Sequence, residues 1–154
     1  MSTNSKHENL TNSGLPWHGW LLGGIFLLYG LAAAFDHIMS LTQGENFYRA
    51  SGMSEMQIEY FSNVPFWAII GWTVSVWAGL LASLVLFFRR RLSSNLFFAS
   101  VIGNLVYILY VLVLSAGREA MGVLWLMPIV ITVMMIGMIF YCRAVTRAGN
   151  ALQN

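Results

Sequence analysis

Asp36 and His37 stand side by side at the end of a long apolar run, where ionisable side chains are rare and carry a use. A carboxylate there can take a proton or hold a cation. An imidazole can do the same or ligate a metal. Successive helical residues stand about 100° apart, so the two do not face one another. Asp36 shares a side with Tyr29, Ala32 and Ala33, separate from the glycines of the same run. At about 1.5 Å per residue from Trp20, it lies roughly 24 Å along the helix, near the outer edge of a hydrocarbon layer about 30 Å thick. Two roles fit that depth: an interfacial anchor or a pair for Arg49 or Arg118, or a proton- or cation-binding group at an outward vestibule. His37 is expected to begin the loop that follows.

A second polar set lies in a later apolar run. Ser100, Asn104 and Tyr107 recur on one helical face, with Ser115 further along it. Counted from Leu96, Asn104 lies roughly 12 Å into the hydrocarbon. Its amide must face other helices and find a partner, a bond that contributes about 0.6 kcal/mol on average and up to about 1.7. It is either a structural bond between helices or one wall of a polar pathway that takes in Asp36, Tyr107 and Arg118. Met134 and Met138 are one turn apart, and paired thioethers can bind Cu(I). No Met-rich or His-rich tail would feed such a site, and methionine is a common core filler. The single cysteine, Cys142, allows no disulfide within the chain and no cysteine cage for a metal. His18 and His37 fall near opposite ends of one span and cannot share a metal. The sequence contains no His-Glu-x-x-His, Gly-x-Ser-x-Gly or phosphate-loop motif. Neither an enzyme nor a resident metal or cofactor is expected.

These residues need a frame, and composition supplies it. Of 154 residues, 58% are hydrophobic and 9% charged. A soluble domain carries about 25% charged residues. A soluble chain of this size cannot hide so much apolar surface in one core, so the lipid bilayer is the first partner expected. The net charge of +2 and the lack of a large basic cluster exclude nucleic acid as a partner. Four runs, at about 17–36, 66–88, 96–115 and 122–141, are each long enough to cross hydrocarbon. They read as helices, because an open strand would leave backbone groups unpaired in lipid. The fold class expected is therefore an all-α membrane protein, an antiparallel bundle of four transmembrane helices. Residues 1–14 read as a disordered tail and 144–154 as a second tail.

Arg89, Arg90 and Arg91 lie between the second and third runs without a balancing acid, and Arg143 and Arg147 follow the fourth. The positive-inside rule then sets both termini in the cytoplasm. In the alternative, Ala32-Ala33-Ala34 is a cleavage site after a signal peptide, which would leave three spans.

The short second and third loops make spans two, three and four antiparallel neighbours. The first loop is far longer and extracytoplasmic. In it Ser54 and Gln57 have capping-box spacing, and Pro65 disfavours helix at the residue before it. A short amphipathic helix is expected, with Met53, Met56, Tyr60 and Phe61 on one side and Glu55, Glu59 and Ser62 on the other. It either closes the outer face of the bundle or acts as a lid or docking surface. Gly71, Ser75, Gly79 and Ser83 make a small-residue row in span two, and Gly19, Gly23, Gly30 and Ala34 a second in span one. Such rows let backbones approach closely in lipid, and these two are expected to pack together, or one to form a homodimer seam. Pro128 should kink span four.

One further pattern joins Phe35-Asp36, then Tyr60-Phe61, Pro65 and Trp67, then Val76-Trp77, Gly79 and Leu81, then Arg89 to Arg91. It resembles a family of small four-span bacterial inner-membrane proteins, some of which carry a sugar-transporter label. The resemblance covers roughly residues 20–115 and implies a multi-pass inner-membrane protein. Four spans without an internal repeat are few for a sugar pathway unless the chain oligomerises. The expected role is thus transport or permeation of a small solute or ion by an oligomer. The alternative is a non-catalytic accessory or assembly subunit of a larger membrane complex.

Overall fold

A computed structural model describes residues 15–88 and 90–151. The 1–14 tail, Arg89 and residues 152–154 lie outside them. The described residues are mostly helical, with no strand among them. Seven α-helices follow in order: α1 Trp17–Gln43, α2 Glu45–Ala50, α3 Glu55–Ser62, α4 Phe66–Leu86, α5 Arg90–Leu109, α6 Gly117–Ala120 and α7 Met127–Ala151. A π-helical turn, Tyr110–Leu114, extends α5, and a 3-10 turn, Gly122–Leu126, precedes α7. Among the described residues, four helices are long and apolar enough to cross a membrane: Trp17–Gln43, Phe66–Leu86, Arg91–Leu114 and Gly122–Arg147. Their outer faces carry large apolar side chains in the open, such as Leu28 at 70% and Phe140 at 66% exposure. Water would oppose such a surface and lipid would not.

α1 runs further than the polarity of Asp36 and His37 suggests. Its 27 residues span about 40 Å at 1.5 Å per residue, so the helix outlasts the hydrocarbon. It stops at Gly44, whose φ of 51° few other residues adopt. His37 is therefore not a loop residue. It sits two turns inside the helix, on the buried row Gly23, Phe26, Gly30, Ala34, His37 and Ser40.

The connection to α4 holds α2 and α3. Ser54 caps α3: the Gln57 N–H donates to Ser54 Oγ at 3.3 Å, and the Ser54 N–H donates to Gln57 Oε1 at 3.0 Å. The helix ends at Asn63, and Pro65 leads into α4. The inward residue is Ile58, at 3% exposure, whereas Met56 points outward. The expected apolar side is thus rotated, with Ile58 the residue that α3 buries. Ser54→Ala should cost about 1 kcal/mol of helix stability. Amide hydrogen exchange across residues 55–62 checks this, as faster exchange there with α4 unchanged.

Helix packing departs from expectation in one respect. The row on α4 faces α5, not α1. An added Cβ on Gly103 would lie 2.6 Å from the Gly71 carbonyl oxygen and 2.7 Å from the Ser75 nitrogen. Ser100 Oγ donates to the Ser75 carbonyl at 2.6 Å, tying the same seam. The glycines of α1 meet large side chains of α4 instead: Gly30 takes Leu80, and Gly23 takes Phe87 and Leu86. Gly19 lies against Leu15 and Tyr141. Two small rows are not needed at one seam when α5 brings its own small residues, Gly103 and Ser100. Ser83 is buried and donates to the Gly79 carbonyl of its own helix.

Pro128 does not kink the middle of a helix. It lies in the first turn of α7, where a missing N–H leaves no bond unmade.

Candidate functional site

The helices pack in a chain: α1 on α4, α4 on α5, and α5 on α7. α1 and α7 meet at the Trp17 end, where Tyr141 Oη and His18 Nδ1 are 2.7 Å apart. Towards the other end, Asn104 holds α7 to α5. Its Nδ2 donates to the Pro128 carbonyl and to Thr132 Oγ1, both at 2.8 Å. Thr132 Oγ1 donates in turn to the Pro128 carbonyl at 2.8 Å. With α7 drawn to α5 and α1 drawn to α4, a cavity of about 390 Å³ is left among the four.

Its walls are mixed. Tyr29, Ala32, Ala33 and Asp36 come from α1, Trp72, Val76 and Leu80 from α4, Asn104 and Tyr107 from α5, and Ile131 and Met135 from α7. Tyr48, Met53, Phe61 and Met121 lie over one end. At the other end Phe26 and Phe97 belong to both the wall and an apolar cluster with Leu86, Ile139 and Cys142. Among the described residues on the wall, Asp36 is the one charged side chain.

The helix angles read from sequence thus bring Asp36, Asn104 and Tyr107 to one space. Arg118 is not on the wall. Its guanidinium lies 4.8 Å from the centre of the Trp125 ring, a cation–π contact that satisfies the charge locally. Arg49 does not reach Asp36 either. It forms a two-pronged ion pair with Glu55, one prong at 3.0 Å, and that carboxylate raises the guanidinium pKa further. Both arginines lie within a few residues of their partners, which beat a more distant acid. Among the described residues, Asp36 makes no ion pair.

His37 is the functional-type residue that the sequence reading misplaced. It is 1% exposed, with its ring 4.5 Å from that of Trp72 in an edge-on contact. His37 Nε2 is 3.1 Å from Thr73 Oγ1, and Thr73 donates its own proton to the Ile69 carbonyl at 2.8 Å. Nε2 must then carry the proton, leaving Nδ1 buried without a partner among the described residues. His37 thereby fixes Trp72, which stacks on Tyr107 with ring centres 6.1 Å apart and forms wall. The signal was available: His37 stands three residues beyond Ala34 on the small-residue row.

Polar contacts as well as apolar ones tie α3 to the end of α5. Ser115 Oγ donates to the Tyr110 carbonyl at 2.8 Å, within the π turn, so the 2.9 Å contact with Tyr60 is donated by the tyrosine hydroxyl. Burial pushes the Tyr60 phenol above its ordinary pKa. Tyr60 also stacks on Tyr110, holding α3 to the end of α5.

Among the described residues, no three His, Cys, Asp or Glu side chains gather to hold a metal. Met138 is buried at 4% exposure and Met134 is 49% exposed, so the two thioethers do not share an environment. Arg91 is exposed at the start of α5, in keeping with a charge outside the apolar zone. Comparison of the chain with protein-family models, with curated proteins and with solved structures finds no match.

Proposed function

We propose that this chain is a multi-pass inner-membrane protein whose cavity binds a small solute and passes it across the bilayer, the working unit being an oligomer. The four spans form an antiparallel bundle, with α3 on the extracytoplasmic side and both termini in the cytoplasm. One observation carries the reading: a carboxylate with no ion-pair partner faces a cavity walled by aromatic rings, hydroxyls and an amide. Pockets of roughly 300–1,000 Å³ with mostly apolar walls and a few placed polar groups are the usual form of small-molecule sites. The Asn104–Pro128–Thr132 triad supports it, because it holds α7 away from α1 and keeps the space open. The cluster beyond Phe26 and Phe97 blocks a straight path, so passage requires helices to shift, and a second copy is the natural surface for α1 or α7 to shift against.

Purification in mild detergent and reconstitution into liposomes tests this. The expected result is a homo-oligomer that speeds release of some small solutes over protein-free liposomes. Recovery with a stoichiometric different protein, and no release above background, would replace transport with an accessory role in a larger membrane complex.

A further inference from the structure

We infer that the cavity selects a small organic cation, a primary amine on an apolar body, with Asp36 as its counter-ion. The inference rests on the solute-binding reading above and names the class of solute. The described wall carries one charge, and it is negative. The two arginines that the sequence offers as its partners are engaged elsewhere, Arg49 by Glu55 and Arg118 by Trp125. An anion would meet Asp36 with no cation on the wall to offset it.

The uncharged polar groups point the same way. Asn104 uses its Nδ2 protons on Pro128 and Thr132, which leaves its Oδ1 as an acceptor. An ammonium group offers three donors and no acceptor, matching a carboxylate and an amide oxygen. Charge-assisted bonds of this kind are roughly twice as strong as neutral ones. A calcium ion fits less well: it takes about six to eight oxygens, commonly with several carboxylates among them, and here there is one. The remaining wall, with Tyr29, Trp72 and Tyr107, suits an apolar body and offers ring faces to a cation.

The test measures binding of phenethylamine, phenethyl alcohol and 3-phenylpropionate to the full chain in lipid nanodiscs, with empty nanodiscs subtracted. The amine should bind about tenfold more tightly than the alcohol, the difference between a charge-assisted and a neutral bond, and the acid should not compete. In Asp36→Asn that preference should vanish while alcohol binding persists. Asp36→Glu should restore part of it. Should Asp36→Asn fail to fold, the wild-type ratio and the Glu variant still decide. Equal binding of amine and alcohol to the wild-type chain, or a preference that survives Asp36→Asn, overturns the cation assignment and leaves the cavity reading standing. Binding of none of the three overturns the cavity reading itself.

Discussion

Gly103→Ala should destabilise the protein by about 1–3 kcal/mol, the cost of forcing a methyl group into a packed seam. The added carbon would meet backbone atoms of α4, the Gly71 oxygen at 2.6 Å and the Ser75 nitrogen at 2.7 Å, and neither can swing aside as a side chain could. The two helices must part. Separation also lengthens the bond from Ser100 to the Ser75 carbonyl, now 2.6 Å. In lipid there is no hydrophobic drive to hold helices together, so lost close packing is lost stability. Gly24→Ala and Gly137→Ala are the controls, because an added Cβ there meets nothing within 4 Å. They should be neutral or slightly stabilising, since alanine is the better helix former. Thermal unfolding in detergent checks the contrast, at about 2–4 °C per kcal/mol for a chain of this size.

Ala33→Trp should abolish solute binding and leave the fold intact. Ala33 lies on the cavity wall, beside Val76 and Leu80, and an indole that enters the cavity from there takes up space the solute needs. An aromatic side chain of that size covers roughly 150–250 Å² of surface, enough to displace a small ligand from both Asp36 and Tyr107. The loss should be at least about tenfold in amine affinity, with solute release from liposomes falling to background. Leu31→Trp is the matched control. Leu31 is 52% exposed on the outer side of the same helix and is not on the wall. It should bind and release as the wild-type chain does.

The sequence made some of this legible and hid the rest for physical reasons. Length and apolarity were enough for four membrane-length helices, because lipid leaves a chain so few options. The Ser54–Gln57 cap was readable because it is a local bond within four residues. The side shared by Tyr29, Ala33 and Asp36 followed from the helical angle alone. The end of α1 did not, since a helix can pass beyond the hydrocarbon and polar residues mark the lipid boundary rather than the last turn. His37 was misplaced for that reason, although its place on the Gly30–Ala34 row was in view. Partner choice for the α4 row was also hidden. A small-residue row marks close approach but does not name the neighbour, and Gly103 stood unremarked beside the polar residues of α5. Charge pairing failed in the same way. Arg49 and Arg118 both lay within reach of Asp36 by level, and local geometry gave them Glu55 and Trp125.

The most direct measurement asks which side of α1 meets solute. Ala33→Cys and Leu31→Cys are made separately, with buried Cys142 as the internal blank, and treated in membranes with a cationic, membrane-impermeant thiol reagent applied from the extracytoplasmic side. If α1 lines a solute cavity, Ala33→Cys reacts and is protected by phenethylamine, while Leu31→Cys stays unlabelled in lipid. Labelling of Leu31→Cys with Ala33→Cys inert, or equal labelling of both without protection, would contradict it.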